Sequence, residues 1–95
     1  MSTFNLEIVA TDKIFYKGPC ESLVFPGIDG EHGILARHEP MVAALQAGEL
    51  RFTVDGQARG AAVGDGFIEV SSEKVVVISD FAERPEDIDI VNVEE

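Results

Sequence analysis

The sequence is poor in the residues that mark extracellular and nucleic-acid-binding proteins. Among 95 residues it has one cysteine, no tryptophan, and seven basic side chains against 18 acidic ones. A single cysteine cannot form an internal disulfide or a pair of thiolate ligands, so the chain fits a reducing compartment. The net charge of −11 has the wrong sign for a phosphate backbone or an anionic lipid surface. A protein surface with basic residues is the electrostatically favoured partner.

Long hydrophobic runs are also missing. The longest run of β-branched residues is 75–78, far below the roughly 18 apolar residues of a transmembrane helix. The first residues form neither a basic segment nor an apolar one, so we expect no signal peptide. With 45% hydrophobic residues, the chain is expected to form one globular domain over 1–95, with an acidic tail from 83 to 95.

Short segments with a period of two predict antiparallel strands. In 4–8 and 50–54 apolar residues alternate with polar ones, which buries one face of a strand and exposes the other. Asp55-Gly56 predicts a tight hairpin, because a type I′ turn needs positive φ at both central residues. A second hairpin is predicted around 71–74. Many short strands without a helical period favour an all-β fold, an antiparallel sandwich or barrel.

The same alternation predicts the core and the remaining segments. Residues 26–40 are interpreted as a long glycine-bearing loop and 40–47 as a strand entering a turn. Segment 85–87 resembles a helix start, since proline and acidic residues favour the first turn, and 88–93 is strand-like. Side chains on the apolar faces are expected to be mostly buried. They are Phe4, Leu6, Leu50, Phe52, Val54, Phe67, Val75 and Val77.

Few residues are candidates for chemistry. The one grouping of potential metal ligands is Glu31, His32, His38 and Glu39. Imidazole and carboxylate suit zinc or iron, but the spacing matches no HExxH motif or facial triad. Cys20 has an acidic neighbour that would raise the pKa of its thiol, so we interpret it as a core residue at a strand start. No cofactor is expected, and a metal-binding β-sandwich enzyme built on the four ligands is the alternative function.

The stretch 25–40, FPGIDGEHGILARHEP, resembles the N-terminal domain of the epsilon subunit of the F-type ATP synthase, called delta in mitochondria. That family has a glycine, a short polar turn, G-E-x-G-I, and then H-x-P before apolar residues. The matching residues here are Gly27, Gly30, Glu31, Gly33, Ile34, His38 and Pro40.

Four further segments resemble the family in the same order. They are the first hairpin at 4–18, the A-G-x-L-R turn at 47–51, the G-F-x-E-V strand at 66–70 and the penultimate strand at 75–82. Each piece is weak by itself, but five pieces in order make a specific pattern. The resemblance covers about 4–89, nearly the whole chain.

The resemblance implies a flattened antiparallel β-sandwich of about ten short strands and a non-catalytic role. The family's domain belongs to the rotor of the ATP synthase, in the central stalk. There it links the gamma subunit to the membrane c-ring, so that proton flow is coupled to ATP synthesis. The implied partners are therefore gamma and the c-ring, with no nucleic acid and no small-molecule substrate. The implied location is the cytoplasmic face of the bacterial inner membrane, where the subunit is held only through the complex.

The resemblance also assigns two sets of partner-binding residues. The first set would face the c-ring, with Glu31 as its strongest member. It comprises Gly27, Asp29, Gly30, Glu31 and Gly33. The second set would lie on or near the gamma contact, and comprises His38, Pro40, Met41 and Ala43.

Three departures from the family pattern affect these expectations. Ala36-Arg37 replaces a frequent Pro-Gly, and 64–66 reads Gly-Asp-Gly where the family usually has Ser-Gly-Gly. The chain ends at Glu95, before the C-terminal helical hairpin that inhibits ATP hydrolysis in typical members. Because the ending is strand-like, we expect a naturally short form. An ATP-binding regulator is accordingly the least favoured hypothesis.

Overall fold

The computed structural model describes residues 2–36 and 39–87, which form ten β-strands and one short 3-10 helix. The prediction of an all-β fold with about ten strands is confirmed. Among these residues no helix is long and apolar enough to cross a membrane. The strands are β1 (Phe4–Ala10), β2 (Lys13–Cys20), β3 (Ser22–Gly27), β4 (Gly30–Leu35), β5 (Met41–Leu45), β6 (Gly48–Val54), β7 (Gln57–Val63), β8 (Gly66–Val70), β9 (Lys74–Ser79) and β10 (Ala82–Glu83), and the 3-10 helix spans Pro85–Asp87.

One sheet runs through all ten strands and folds over into two layers. The order is β10-β7-β6-β3-β5-β8-β9-β1-β2, and β4 pairs with β3 off this path. The pairs are antiparallel except β1 with β9. The layers are joined where Gly27 of β3 pairs with Leu45 of β5. Across the core, the rings of Tyr16 on β2 and Phe52 on β6 lie 5.0 Å apart.

Alternation along the strands builds the core between the layers. In β1 the residues at even positions are buried and the odd ones are not. Of the eight predicted core residues, the structure confirms seven. The exception is Phe67, which is 46% exposed. It shares the outer face of β8 with Glu69, while Ile68 and Val70 point inward, so the position of Glu69 already indicated the correct face.

The predicted turns are largely confirmed. Asp55 and Gly56 have φ angles of 52° and 77°, and they close the hairpin in which Val54 pairs with Gln57. The hairpins β1–β2 and β8–β9 are also present. The strand predicted within 40–47 corresponds to β5. The turn after it is short, because β6 already begins at Gly48.

The prediction of a long loop over 26–40 is wrong. Strands β3 and β4 form a regular hairpin, with all six residues of β3 paired and only Ile28-Asp29 between the strands. The chain can reverse within two residues because Gly30, with φ of 124°, adopts a conformation that side chains disfavour. Glycine and proline therefore mark the turn and its flanks here, and do not mark a loop.

The end of the described chain follows the prediction in part. Segment 85–87, expected as a helix start, forms a single 3-10 turn against β7, with the Pro85 Cγ atom 3.4 Å from the point where a Cβ on Gly60 would lie. The strand-like segment 88–93 lies outside the described residues.

Phe52 tests the assignment of inner and outer faces. We expect Phe52→Ala to destabilise the domain by about 3–5 kcal/mol, because it removes a buried ring and leaves a cavity. Phe67→Ala is the matched control on an outer face and should cost less than about 1.5 kcal/mol. Denaturant unfolding of both variants measures the difference. Equal losses would show that the two rings are equally buried and that the faces are wrongly assigned.

Candidate protein-binding surfaces

The residues predicted to face the c-ring all lie on the β3–β4 hairpin. Gly27 is the buried last residue of β3, Asp29 is in the turn, and Gly30, Glu31 and Gly33 are exposed on β4. A Cβ on Gly27 would lie 2.8 Å from the His32 ring, so the close approach of that ring requires glycine. The hairpin apex thus brings the predicted residues together on one narrow element.

His32 holds the turn from the inner side of the hairpin. Its Nε2 lies 2.7 Å from Asp29 Oδ1, and its ring stacks on Phe25 with centroids 5.3 Å apart. An ionised carboxylate only accepts hydrogen bonds, so the imidazole N–H is the donor. This hydrogen bond lowers the pKa of Asp29 below its ordinary value. The carboxylate of Asp29 is therefore kept ionised, and it is directed at His32 within the same hairpin.

Glu31 is held in the same way by a residue that the sequence analysis missed. Arg51 of β6 donates Nη1 to Glu31 Oε2 at 3.2 Å and Nη2 to Oε1 at 3.1 Å. The pairings of Val24 with Arg51 and of Pro26 with Glu31 place both side chains on the outer face, one on each side of β3. Hydrogen bonding to Glu31 raises the pKa of Arg51. The two residues are 20 positions apart, so only the register of the folded sheet brings them together.

The residues predicted near gamma are more scattered. His38 lies outside the described residues, and Pro40 is exposed just before β5. Met41 and Ala43 are half-buried and pack against the core. The other face of β5 is more exposed, since Val42 and Ala44 beside them are open to solvent.

An apolar row crosses the outer face of the layer that contains β5. It consists of one residue from each of five adjacent strands, paired in register across β5, β8, β9, β1 and β2. Phe67 is 46% exposed, Ile78 37% and Ile14 61%. Contiguous exposed apolar side chains of this kind mark interaction surfaces. The row is Ala44, Phe67, Ile78, Val9 and Ile14.

Acidic residues border the apolar row. On one side, Glu69 and Glu7 alternate with Val42 and Val76 in the next row of paired residues. The carboxylate of Glu7 is 3.2 Å from Lys74 Nζ. No signal in a single strand predicts such a surface, because each strand contributes only one of its residues.

Within the described part of the chain, which excludes His38, neither the proposed metal ligands nor the cysteine forms a chemical site. In the described ranges no three His, Cys, Asp or Glu residues lie together in a metal-binding group, and His32 contacts Asp29. Cys20 is buried as expected, but it ends β2 and does not begin a strand. Desolvation by burial raises the pKa of its thiol, which keeps the thiol protonated and unreactive.

A groove between β2 and β7 is one of the concave features of the described residues. Lys13 and Glu83 form an ion pair of 3.1 Å at one end, and the guanidinium of Arg59 lies 5.9 Å from the centre of the Tyr16 ring. None of the residues predicted to bind a partner lines this groove.

Comparison with known proteins identifies the family. Residues 3–85 match the family described as ATP synthase, Delta/Epsilon chain, beta-sandwich domain. The ATP synthase epsilon chain of Ruminiclostridium cellulolyticum is 43% identical over 90 residues, which cover 95% of this chain and 67% of that protein. The epsilon chain of Caldicellulosiruptor saccharolyticus is 45% identical over 89 residues, covering 94% and 65%. The chain thus spans about two thirds of the length of these relatives.

Solved structures show the same fold. A chain of the Euglena gracilis mitochondrial ATP synthase, solved with OSCP, F1 and the c-ring, superposes with a TM-score of 0.90 at 24% identity, over 98% of this chain and 60% of that one. A chain of the Tetrahymena thermophila mitochondrial ATP synthase central stalk and c-ring gives 0.78 at 9% identity, over 99% and 75%. The predicted β-sandwich and the expectation of a non-catalytic ATP synthase subunit are both confirmed, and the chain belongs to the ATP synthase delta/epsilon family, whose β-sandwich domain it carries.

Proposed function

We propose that the chain is a rotor subunit of an F-type ATP synthase that links the gamma subunit to the c-ring. The observation that carries this proposal is family membership over residues 3–85, and two distinct exposed surfaces on the fold support it. The subunit contributes contacts and no catalytic group, and its work is to keep two partners turning together. Its location is then the cytoplasmic face of a bacterial membrane, where it is held through the complex.

The β3–β4 hairpin is the surface for the c-ring in this proposal. Among the described strands β4 pairs with β3 alone, so this strand of the hairpin forms an edge of the sheet. Gly27, Asp29, Gly30, Glu31 and Gly33 all belong to it, as the family resemblance implies. The ion pair of Glu31 with Arg51 and the contact of Asp29 with His32 fix its shape, so that the apex is presented in one conformation.

The apolar row is the surface for gamma. Pro40, Met41 and Ala43, the described members of the predicted gamma set, lie at β5, whose outer face begins the row at Ala44. His38 remains part of the proposal, although it lies outside the described residues. Glu7 is paired with Lys74, and Glu69 is the other acid beside the row. An apolar centre with Glu69 at its border is suited to a partner segment that has apolar residues in the middle and a basic residue at the rim.

The alternative functions have less support. The metal-enzyme hypothesis required Glu31 and His32 to share a ligand set, but these two residues have separate partners, Arg51 and Asp29. Regulation through an ATP-binding helical hairpin concerns a segment that these 95 residues do not include.

Phe67→Glu tests the gamma surface. A carboxylate in the centre of the apolar row should weaken binding to the cognate gamma subunit at least about tenfold, because buried aromatic anchors carry much of an interface's free energy. Ala58→Glu is the matched control, since it adds the same charge to an exposed position on β7, a strand that contributes no residue to the apolar row. Calorimetric titration of gamma with the two variants is the measurement. Equal affinities would remove the apolar row from the gamma contact.

Glu31→Gln tests the c-ring surface. The change removes the negative charge of the carboxylate that is paired with Arg51. We therefore expect the free energy of binding to the c-ring to weaken by about 0.5–2 kcal/mol. Unfolding should change by less than about 1 kcal/mol, because the pair is solvent-exposed. The paired measurements are thermal unfolding of the variant and proton pumping by membranes reassembled with it. A lower melting midpoint with intact pumping would make Glu31 a structural residue only.

A further inference from the structure

The row of paired residues beside the apolar row carries charges of opposite sign toward its two ends. It runs in register from β5 to β2, and its members are Val42, Glu69, Val76, Glu7 and Lys17. Residues that pair directly across neighbouring strands have their side chains on the same face of the sheet. Glu69 and Lys17 therefore lie on the same outer face as the apolar row, and both are exposed.

Lys17 differs from the other basic side chains that the structure describes, because it contacts neither a carboxylate nor a ring of the described residues. The guanidinium of Arg59 lies over the Tyr16 ring. The remaining bases have a carboxylate oxygen at 4.0 Å or less, and they are Lys13, Arg51, Lys74 and Arg84. On a chain with a net charge of −11, a base that no internal acid holds is free to bind an acid of another protein.

The acid opposite Lys17 is already held by a different base. Glu7 pairs with Lys17 across β1 and β2, but its Oε2 atom lies 3.2 Å from Lys74 Nζ. The two ammonium groups and the one carboxylate line a common shallow depression, together with Asn5. This depression therefore has a net positive charge on a strongly acidic chain, and the Asn5 amide can donate a further hydrogen bond. A carboxylate of a partner is the group that suits it.

Glu69 supplies the opposite sign at the other end of the row. In the described part of the chain it forms no ion pair, and its neighbours in the row are Val42 and Val76. Its strand, β8, is separated from β2 by β9 and β1, a distance of roughly 14 Å at about 4.8 Å for each strand spacing. Because this exceeds the Debye length of about 8 Å at physiological salt, each charge acts locally on a partner.

We propose that the gamma subunit presents an acidic residue to Lys17 and a basic residue to Glu69, and that these two contacts fix the direction in which gamma lies along the apolar row. The row alone does not distinguish the two directions, because hydrophobic contact is non-directional. Charges of opposite sign at the two ends make one orientation attractive and the reversed orientation repulsive. This inference rests on the proposed function, in which the apolar row is the surface for gamma.

Lys17→Gln separates a local contact from the general field of the chain. The variant makes the chain more acidic by one charge, so a basic partner that responded only to the field would bind it faster. We expect instead that the affinity for the cognate gamma subunit falls about three- to fivefold, the scale of one rim ion pair, and that the loss shrinks at high ionic strength. Ala58→Glu changes the net charge by the same amount on β7 and is the matched control, which should bind as tightly as the unchanged chain.

Reversal of both charges tests the direction of binding. The double variant with Lys17→Glu and Glu69→Lys keeps the net charge of −11, and both positions are exposed, so the melting midpoint should not change. We expect its affinity for gamma to fall at least about tenfold, because both rim contacts become repulsive. A partner attracted only by the overall field would bind this variant as it binds the unchanged chain. Titration calorimetry of gamma with the unchanged chain and with each variant is the measurement.

Phe67→Glu distinguishes failure of this inference from failure of the proposed function. If Phe67→Glu weakens binding while the doubly reversed chain binds normally, or if Lys17→Gln binds more tightly than the unchanged chain, the two rim contacts are wrong and the apolar row remains the gamma surface. If the unchanged chain itself does not bind gamma, the proposed function fails.

Discussion

Burial of one face of each strand between the two layers is the constraint on which the remaining features depend. Because successive side chains of a strand point to opposite faces, fixing the inner residues also fixes every outer one. A slip of one residue in β8 would bury Phe67 and Glu69 in place of Ile68 and Val70, and the buried charge of Glu69 makes that slip costly. At Val9 and Ile78 the apolar row is therefore a fixed property of the fold, since both chain neighbours of each residue are buried.

The same constraint assembles the hairpin. Leu23 and Phe25 anchor β3 in the core, and the pairing of β4 follows from β3 through six residues. Glu31 then has to lie on the outer face, diagonal to Arg51 on the far side of β3. At the layer junction Gly27 leaves room for the His32 ring, so that imidazole can reach the turn. The local backbone geometry and the long-range strand register thus together hold the apex of the hairpin in one conformation.

Local sequence signals predicted the fold well because the strands alternate cleanly and their turns use characteristic residues. Asp55-Gly56 is the clearest case, since both residues adopt the positive φ angles that the turn type requires. The β3–β4 hairpin was missed because Gly27, Gly30 and Gly33 conceal its alternation, although Leu23, Phe25 and Ile34 point inward. Phe67 was misplaced because the hydrophobicity of the ring was given more weight than the parity set by Glu69.

The candidate binding surfaces were only partly predictable, and the reason is again long-range register. The family resemblance located the hairpin, but nothing near Glu31 in the sequence indicates that Arg51 will bind it. The apolar row was not predicted at all, because a row across a sheet takes one residue from each strand. In β1 that residue is Val9, which follows the buried Ile8. From the sequence of β1 alone, Val9 would be predicted as another core residue. Such a surface becomes visible only after the strand order is known.

The distribution of charge makes the two surfaces physically different. The chain carries −11 overall, so its general field attracts a basic partner over a distance of about one Debye length, roughly 8 Å at physiological salt. At the apolar row, Glu7 is paired with Lys74, so Glu69 is the acid at the rim that would steer a basic partner. The hydrophobic centre would supply the affinity of the proposed contact. At the hairpin the acids are paired with Arg51 and His32, so less of that field remains at the apex. We therefore expect a change in ionic strength to alter the association rate at the apolar row. We expect it to alter the dissociation rate at either surface less.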